Sequence, residues 1–400
     1  MTTNLADVDP TNKQASAKHG IILILAAIMP PMAIITLIPI LPLLMKEFSE
    51  VQGSAFLVPI ALTVPALCVA LFSPLAGWIS DKMGRKPVLI SALLIYAIIG
   101  LVPYFLTNLT QIIAARVVLG IAEAAIMTVA TALIADYFKG KERQRWVSIQ
   151  IACVSLSAIV LIAIGGLLGE FFGSRGPFLL YLVAIPIALC AAFILYEPIK
   201  SHEKVSLDAP KVPWARVLPL LFITLFVGVI FYTIMVKLGA ILALASEVSP
   251  AIIGGIGAAA NIGMALGSMA FGKFKGASGP RLISIGLTLS AIGYIGAAFS
   301  TALIFTSIAI FIASFGFGML LPTMLNWILS VLPRNVLGRG TGLWTGAFFL
   351  GQFTAPIIAT ALQSQVGGLE NVLVLYAGLS IIGVVMALTK IKGAKGLVNH

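Results

Sequence analysis

RVVLGIAEAAIMTVATALIAD, residues 116–136, is apolar enough to cross a membrane as a helix, yet it carries Arg116 near one end, Glu123 near the middle and Asp136 at the other end. A charge at bilayer depth is costly and normally faces a protein interior or a watery cavity. Arg116 and Glu123 are seven residues apart, which puts them on one helix face, two turns or roughly 10 Å from each other. Glu123 is the one carboxylate that the sequence places near a membrane midplane. It reads either as a packing residue bonded to a neighbouring helix or as a proton or substrate site. The second reading is the expectation.

The surrounding composition makes this stretch one of many. The chain has 400 residues, 60% of them hydrophobic and 10% charged. Apolar runs of eighteen or more residues recur along its length, which marks an all-α polytopic membrane protein set in a lipid bilayer. The net charge of +11 would suggest nucleic acid in a soluble protein. Here the positive residues fall in the loops of one side, so no nucleic-acid partner is expected. Cys68, Cys153 and Cys190 lie inside apolar spans and read as buried packing residues, without a disulfide framework. His19, His202 and His400 fall in tails or a loop, which argues against a histidine relay at depth and against a zinc site. No catalytic or cofactor-binding motif is present, so the chain is not read as an enzyme. No metal is expected.

Spans are expected near 20–45, 54–79, 87–106, 111–137, 146–169 and 177–196. Six more follow near 214–245, 249–272, 281–300, 302–329, 340–365 and 370–390. Alternating them from a cytoplasmic N-terminus tests the count by the distribution of Lys and Arg. Only Lys46 and Arg175 of the 25 basic residues fall on the outer side, and Arg116 and Lys237 fall within spans; all the others are cytoplasmic. The expected organisation is a cytoplasmic tail over 1–19, a six-helix bundle over 20–196, a cytoplasmic linker over 197–213, a second six-helix bundle over 214–390, and a tail over 391–400. The linker carries charges and prolines. A short repeat joins the halves: Gly77, Gly84 and Lys86 in GWISDKMGRK match Gly272, Gly279 and Arg281 in GKFKGASGPR, each after the second helix of its half. Parallel repeats of this kind mark transporters.

The loop after the second helix resembles the G-x-x-x-D-x-x-G-R-K motif of the major facilitator superfamily through Gly77, Asp81, Gly84, Arg85 and Lys86. Gly84 suits a tight turn between helices. Asp81 suits a helix N-terminus, for which the glycine-rich start of the eleventh helix, 338–342, is the candidate. Arg85 can pair with Asp136. The resemblance implies twelve transmembrane helices in two pseudo-symmetric bundles, and a latch that holds the cytoplasmic side shut when the cavity faces outward. Arg116 and Gly120 are similar to the family's fourth-helix R-x-x-x-G motif. The string GIAEAA…LIADYF resembles the spinster-like and organic-anion branches, in which a carboxylate at the place of Glu123 is linked to proton coupling. The first helix lacks the charge of those branches. Its Pro30, Pro31, Pro39 and Pro42 should kink it and free carbonyls toward the cavity. The fifth helix keeps the glycine pair, Gly165 and Gly166, of the drug/proton antiporter motif G-P-x-x-G-G, with Leu161 and Ile162 in the first two places.

Lys237, in the outer part of the seventh span, either snorkels to an interface or provides a cation in the cavity. Tyr232, Asn261 and Gln352 are further candidates for a substrate cavity with Arg116 and Lys237. The resemblance implies a secondary transporter that works by alternating access, driven by the proton-motive force without a bound cofactor. It would act as a monomer in the bacterial inner (plasma) membrane, with both termini cytoplasmic. Its expected partners are protons and a small-molecule substrate. Export of lipophilic or amphipathic compounds by antiport leads, ahead of proton symport of a small organic anion. A non-transporting membrane sensor is the third reading, disfavoured by short tails.

Overall fold

The computed structural model describes residues 15–198, 213–271, 278–332 and 337–389. Hydropathy alone drives these segments into helices, because backbone groups in a bilayer must be satisfied within the segment. The N-terminal half contains α1 (Ala17–Ile35), α2 (Leu41–Glu47), α3 (Ser54–Met83), α4 (Arg85–Leu101), α5 (Leu109–Tyr137), α6 (Gly140–Phe172) and α7 (Ala184–Ile194). The C-terminal half contains α8 (Trp214–Val236), α9 (Leu238–Ala243), α10 (Pro250–Phe271), α11 (Gly279–Phe299), α12 (Leu303–Ser330), α13 (Leu337–Val366) and α14 (Leu369–Thr389).

Eleven of the helical stretches are long and apolar enough to cross a membrane, and one of them, Gly140–Ile194, has 55 residues. That one turns at Gly173, where φ is +68°. The 3-10 segment that follows, Gly173–Val183, folds back onto α6 and leads into α7. It therefore makes two crossings, and the described residues make twelve. The first crossing is also broken. α1 runs through Pro30 and Pro31, stops at Thr36, passes through a 3-10 turn at Ile38–Ile40, and resumes as α2.

The two halves repeat one packing scheme. In the first, α5 packs on α3 and α4, and α4 packs on α7; in the second, α12 packs on α10 and α11, and α11 packs on α14. Between halves, α6 meets α10 and α3 meets α13. The second copy of the loop repeat begins at Gly272, and its first six residues lie outside the described residues, as does the linker over 199–212.

The halves join toward the end of the bundle away from the N-terminus. There, a Cβ on Gly166 would come within 2.9 Å of the Gly254 Cα, so the glycine permits a backbone approach that a side chain would block. Ile34, Ile38, Ala66 and Ile162 of the first half share a buried cluster with the second half. Toward the terminal end the burial opens. α3 is buried on every side from Ala61 to Ala66 but exposes Leu71, Leu75 and Trp78. No residue of α13 from 343 to 350 is fully buried, whereas Gly351 and Gln352 are. The halves are therefore packed most tightly from the middle of the bundle to the end away from the N-terminus.

Two expectations change. His19 does not lie in a tail; it sits in the first turn of α1 and is buried, its ring edge-on to Tyr137 and Tyr196. Ser16 pairs with the His19 ring and draws the helix start outward past the apolar run. Cys190 is exposed on the outer face of α7, while Cys68 is buried.

Candidate functional site

Arg116 is 1% exposed and lies inside the N-terminal bundle. Its bonds follow from backbone chemistry on two other helices. Pro65 has no N–H, so the Ala61 carbonyl four residues earlier has no helical donor, and Arg116 Nε donates to it at 2.9 Å. At the end of α1, Leu37 N–H bonds Ile34 instead of Ala33. The Ala33 carbonyl is therefore left open, and it accepts from Arg116 Nη2 at 2.8 Å and from the Tyr181 hydroxyl at 3.0 Å. Nη2 also donates to Leu62 at 3.3 Å, and Nη1 donates to the Tyr181 hydroxyl. The carbonyl released by the broken first helix thus turns into the bundle, where a guanidinium takes it, and not toward a cavity. Arg116 is a clamp joining α1, α3, α5 and the Gly173–Val183 segment.

Glu123 is the middle residue of α5 and is 2% exposed. Its Oε1 is buried with no hydrogen-bond partner. Four of the five Arg116 N–H donors are committed elsewhere, and no Arg116–Glu123 salt bridge forms among the described residues. Glu123 lies within electrostatic reach of Cys68, Tyr96 and Tyr181. The site is a carboxyl enclosed by weakly polar groups, with no fixed counter-charge bonded to it.

At the terminal end, Gly84 is the single residue between α3 and α4, and its φ of +100° is a conformation that favours glycine. Arg85 pairs with Asp136, donates to the Ala132 carbonyl at 3.0 Å, and reaches Asp81 at 3.4 Å. Glu197, just past α7, accepts from the backbone N–H groups of Arg85 and Lys86 at 2.7 and 2.8 Å. It caps α4 from across the bundle, where a carboxylate also meets the positive end of the helix dipole. Gly77 packs near Thr128 of α5. The side chains at the start of α13, at 337–339 and 341, lie outside the described residues.

In the C-terminal half, Lys237 caps the end of α8 and is 8% exposed. Its Nζ bonds the Thr360 hydroxyl of α13 at 2.9 Å, so it is held inside the protein and does not snorkel. Tyr232 packs against Phe231 and Phe348, and Phe348 stacks with Trp344. Gln352 is 3% exposed with Oε1 unpartnered, and the Trp344 Nε1 is also buried without a partner. Asn261 donates to the Gly257 carbonyl of its own helix at 2.9 Å. The sequence candidates therefore fall in two places. Arg116 and Glu123 share the core of the first bundle. Tyr232, Lys237 and Gln352 line the α8–α13 seam of the second, with Asn261 on α10.

Twelve crossings in two repeated six-helix bundles, the motif loop and the match to a known family converge. Residues 23–239 and 220–396 match the Major Facilitator Superfamily. The chain belongs to this superfamily of transporters. Within the superfamily, it is 27% identical over 344 residues to the PmrA-homologue multi-drug resistance efflux pump of Lactococcus lactis subsp. lactis (strain IL1403), covering 82% of this chain and 84% of that protein. It is 28% identical over 186 residues to the class H tetracycline resistance protein of Pasteurella multocida, a match that covers 46% of each chain. Its fold is that of a bacterial homologue of the human lysosomal transporter Spinster, in an inward-facing, unoccupied conformation. The TM-score is 0.76 at 16% identity, with 94% of this chain and 97% of that chain covered.

Sequence reasoning missed Tyr96, Tyr181, Pro65 and Glu197. A proline deep in an apolar span was a usable signal, because it names the carbonyl four residues earlier as one that needs a donor. The tyrosines and Glu197 reach across more than forty residues of chain to groups on other helices, and no local pattern announces them.

Proposed function

We propose that this superfamily transporter is driven by the proton-motive force and exports small lipophilic or amphipathic compounds in exchange for protons, with Glu123 as the proton carrier. The observation that carries this reading is the unpartnered Oε1 of Glu123 at the centre of α5, with four of the five Arg116 donors committed to other groups. A buried carboxyl without a bonded cation can gain and lose a proton as the conformation changes its access to water. Export is supported by the kinship with proteins named for drug efflux and tetracycline resistance. The basic residues collect on the side of the termini, which supports cytoplasmic termini. The Arg85–Asp136–Asp81 group, whose ion pairs are made in this structure, is read as the cytoplasmic latch, and the transporter as a monomer in the plasma (inner) membrane of a bacterium.

The test is flux in proteoliposomes. Probes are tetracycline and neutral and charged naphthalene derivatives, under an imposed proton gradient. Glu123→Gln mimics the protonated form and removes the titration. Gradient-driven flux should fall to background, while exchange across membranes without a gradient persists. Accumulation against a gradient by Glu123→Gln, driven by protons, would end the proposal. Lys237 favours a second direction, uptake of an organic anion together with a proton. The same liposomes separate the two, since an inward proton gradient drives efflux in the first case and uptake in the second.

A further inference from the structure

The first turn of α1 carries a titratable group that the transport chemistry leaves unused. Ser16 is the cap of α1, and its backbone N–H donates to His19 Nδ1 at 3.0 Å. A backbone N–H can only donate, so Nδ1 must keep its lone pair, and the one ring proton of the neutral imidazole sits on Nε2. A proton added at Nδ1 sets two donors against each other and undoes this capping box.

The surroundings also suit the neutral ring. His19 is buried, edge-on to Tyr137 at the end of α5 and to Tyr196 just past α7. The two tyrosines stack, and the Tyr137 hydroxyl donates to the Tyr196 carbonyl and accepts from its N–H at 3.0 Å. From α6, Trp146 closes the same corner, packed on Gly20 and stacked on Phe138, while Arg143 and Arg145 beside it are exposed. Lys18 is the charged side chain that acts on the ring, and it has the sign of an imidazolium. No carboxylate pairs with the ring among the described residues. Asp136 and Glu197, each one residue from a tyrosine of this corner, serve the latch loop instead: Asp136 pairs with Arg85, and Glu197 caps α4. A cation at His19 thus has no counter-charge, and its two aromatic neighbours are one peptide away from the groups that hold Arg85. Arg116 fixes the far end of α1 through Ala33, so His19 governs whether the helix is held at both ends.

We propose that His19 is a proton-sensitive tether: the neutral ring docks the start of α1 against α5 and α7, and protonation from the cytoplasm releases it, loosens the Arg85 loop and slows transport. The proposal rests on the reading above for the side on which His19 lies and for the transport that it slows. The docked state binds one proton fewer than the released state. Docking is therefore complete above the ordinary histidine value of about 6.5 and weakens as pH falls below it, by up to about tenfold per pH unit. In a transporter that admits protons in exchange for cargo, the tether acts as a brake when the cytoplasm acidifies.

The experiment is hydrogen exchange over the start of α1 in the full, detergent-purified chain. It spans about pH 7.5 to about pH 5.5, the range in which histidine changes charge, and each rate is referred to that of an unstructured peptide at the same pH. His19→Gln places an uncharged acceptor at the third helical position, where a capping box accepts it, and His19→Arg fixes a positive charge there. Protection in the parent should fall about tenfold across the range, stay high in His19→Gln and be low throughout in His19→Arg. In proteoliposomes held at a constant proton gradient, lowering the pH of both sides should reduce parent flux severalfold relative to that of His19→Gln. The proposal is overturned if parent protection is as flat as that of His19→Gln, if His19→Gln loses protection as steeply as the parent, or if the flux ratio does not move. If His19→Arg fails to fold, the parent and His19→Gln decide the matter alone. Exchange needs no flux, so absence of proton-driven flux in every protein would defeat the transport reading, whereas flat exchange in an active transporter would defeat the tether.

Discussion

The two halves of the molecule solve the same packing problem with and without a buried arginine. In each, a tyrosine of the third crossing donates to a carbonyl of the first and touches a tyrosine of the sixth. Tyr96 donates to Met29 and meets Tyr181 at 5.1 Å; Tyr294 donates to Ile230 and meets Tyr376 at 5.9 Å. Tyr96 and Tyr294 are 198 residues apart, and the same step from Arg116 arrives at Ser314. Ser314 is fully buried and its hydroxyl has no partner. The step from Pro65 arrives at Gly263, which keeps its N–H. The second half thus builds the bundle with neither a proline at the place of Pro65 nor a guanidinium at that of Arg116. Because the fold stands without the charged pair there, Arg116 and Glu123 in the first half are additions to the architecture. Arg116 answers the break in α1 and the proline in α3, and Glu123 answers nothing in the packing.

The largest break in this comparison comes from Arg116→Met. It leaves the Ala61 carbonyl without a donor in a buried site, at about 1–3 kcal/mol for the unsatisfied group, and takes one of two donors from Ala33 and the added donor from Leu62. Loss of folded protein in detergent, or a melting temperature lowered by many degrees, is the expected outcome. Adding Pro65→Ala restores an N–H opposite Ala61 and should recover about 1 kcal/mol. An Arg116→Met protein as stable as the parent would mean that the clamp is idle and that Arg116 is held for transport alone.

A smaller effect is expected at the terminal end. Glu197→Gln keeps the acceptor shape and removes the charge that faces the start of α4. It should cost about 0.5–1 kcal/mol, decreasing with salt. Asp81→Asn acts on the same loop from α3 and should slow transport while leaving the melting temperature near that of the parent. A large loss of stability in Asp81→Asn would reassign the loop from a latch to a structural joint.

Much of this organisation is legible in the sequence because membranes make hydropathy and charge placement informative. The twelve crossings and the two halves follow from apolar length and from the one-sided Lys and Arg. Glu123 and Arg116 stand out because charges at such depth are rare. What Arg116 touches was not legible, since its acceptors are carbonyls, which carry no sequence signature unless a proline exposes them. Lys237 was ambiguous for a related reason. Its position near the end of a span allows both snorkelling and burial, and the choice depends on Thr360, 123 residues away on another helix. The broken first crossing was anticipated from its prolines, but the destination of its freed carbonyl was not.

The smallest effects test the comparison most directly. Tyr96→Phe and Tyr294→Phe each remove one hydroxyl that donates to a first-crossing carbonyl. If the halves are equivalent in packing, the two substitutions should cost the same, about 1 kcal/mol each, and their costs should add in the double variant because the sites share no partner. Ser314→Ala completes the set. The serine hydroxyl is buried and unbonded, so its removal relieves a desolvated polar group and should leave stability within about 0.5 kcal/mol of the parent or slightly raise it. Melting curves of the purified variants provide all four values. A Tyr96→Phe cost well above that of Tyr294→Phe would show that the first-half tyrosine is coupled to the neighbouring charges, since Tyr96 touches Tyr181 and Tyr181 bonds Arg116. Equal costs would confine the difference between the halves to Arg116 and Glu123. A destabilised Ser314→Ala would place a function on the second half's counterpart of the arginine, and the two halves would then differ in which group sits at that level and not in whether one does.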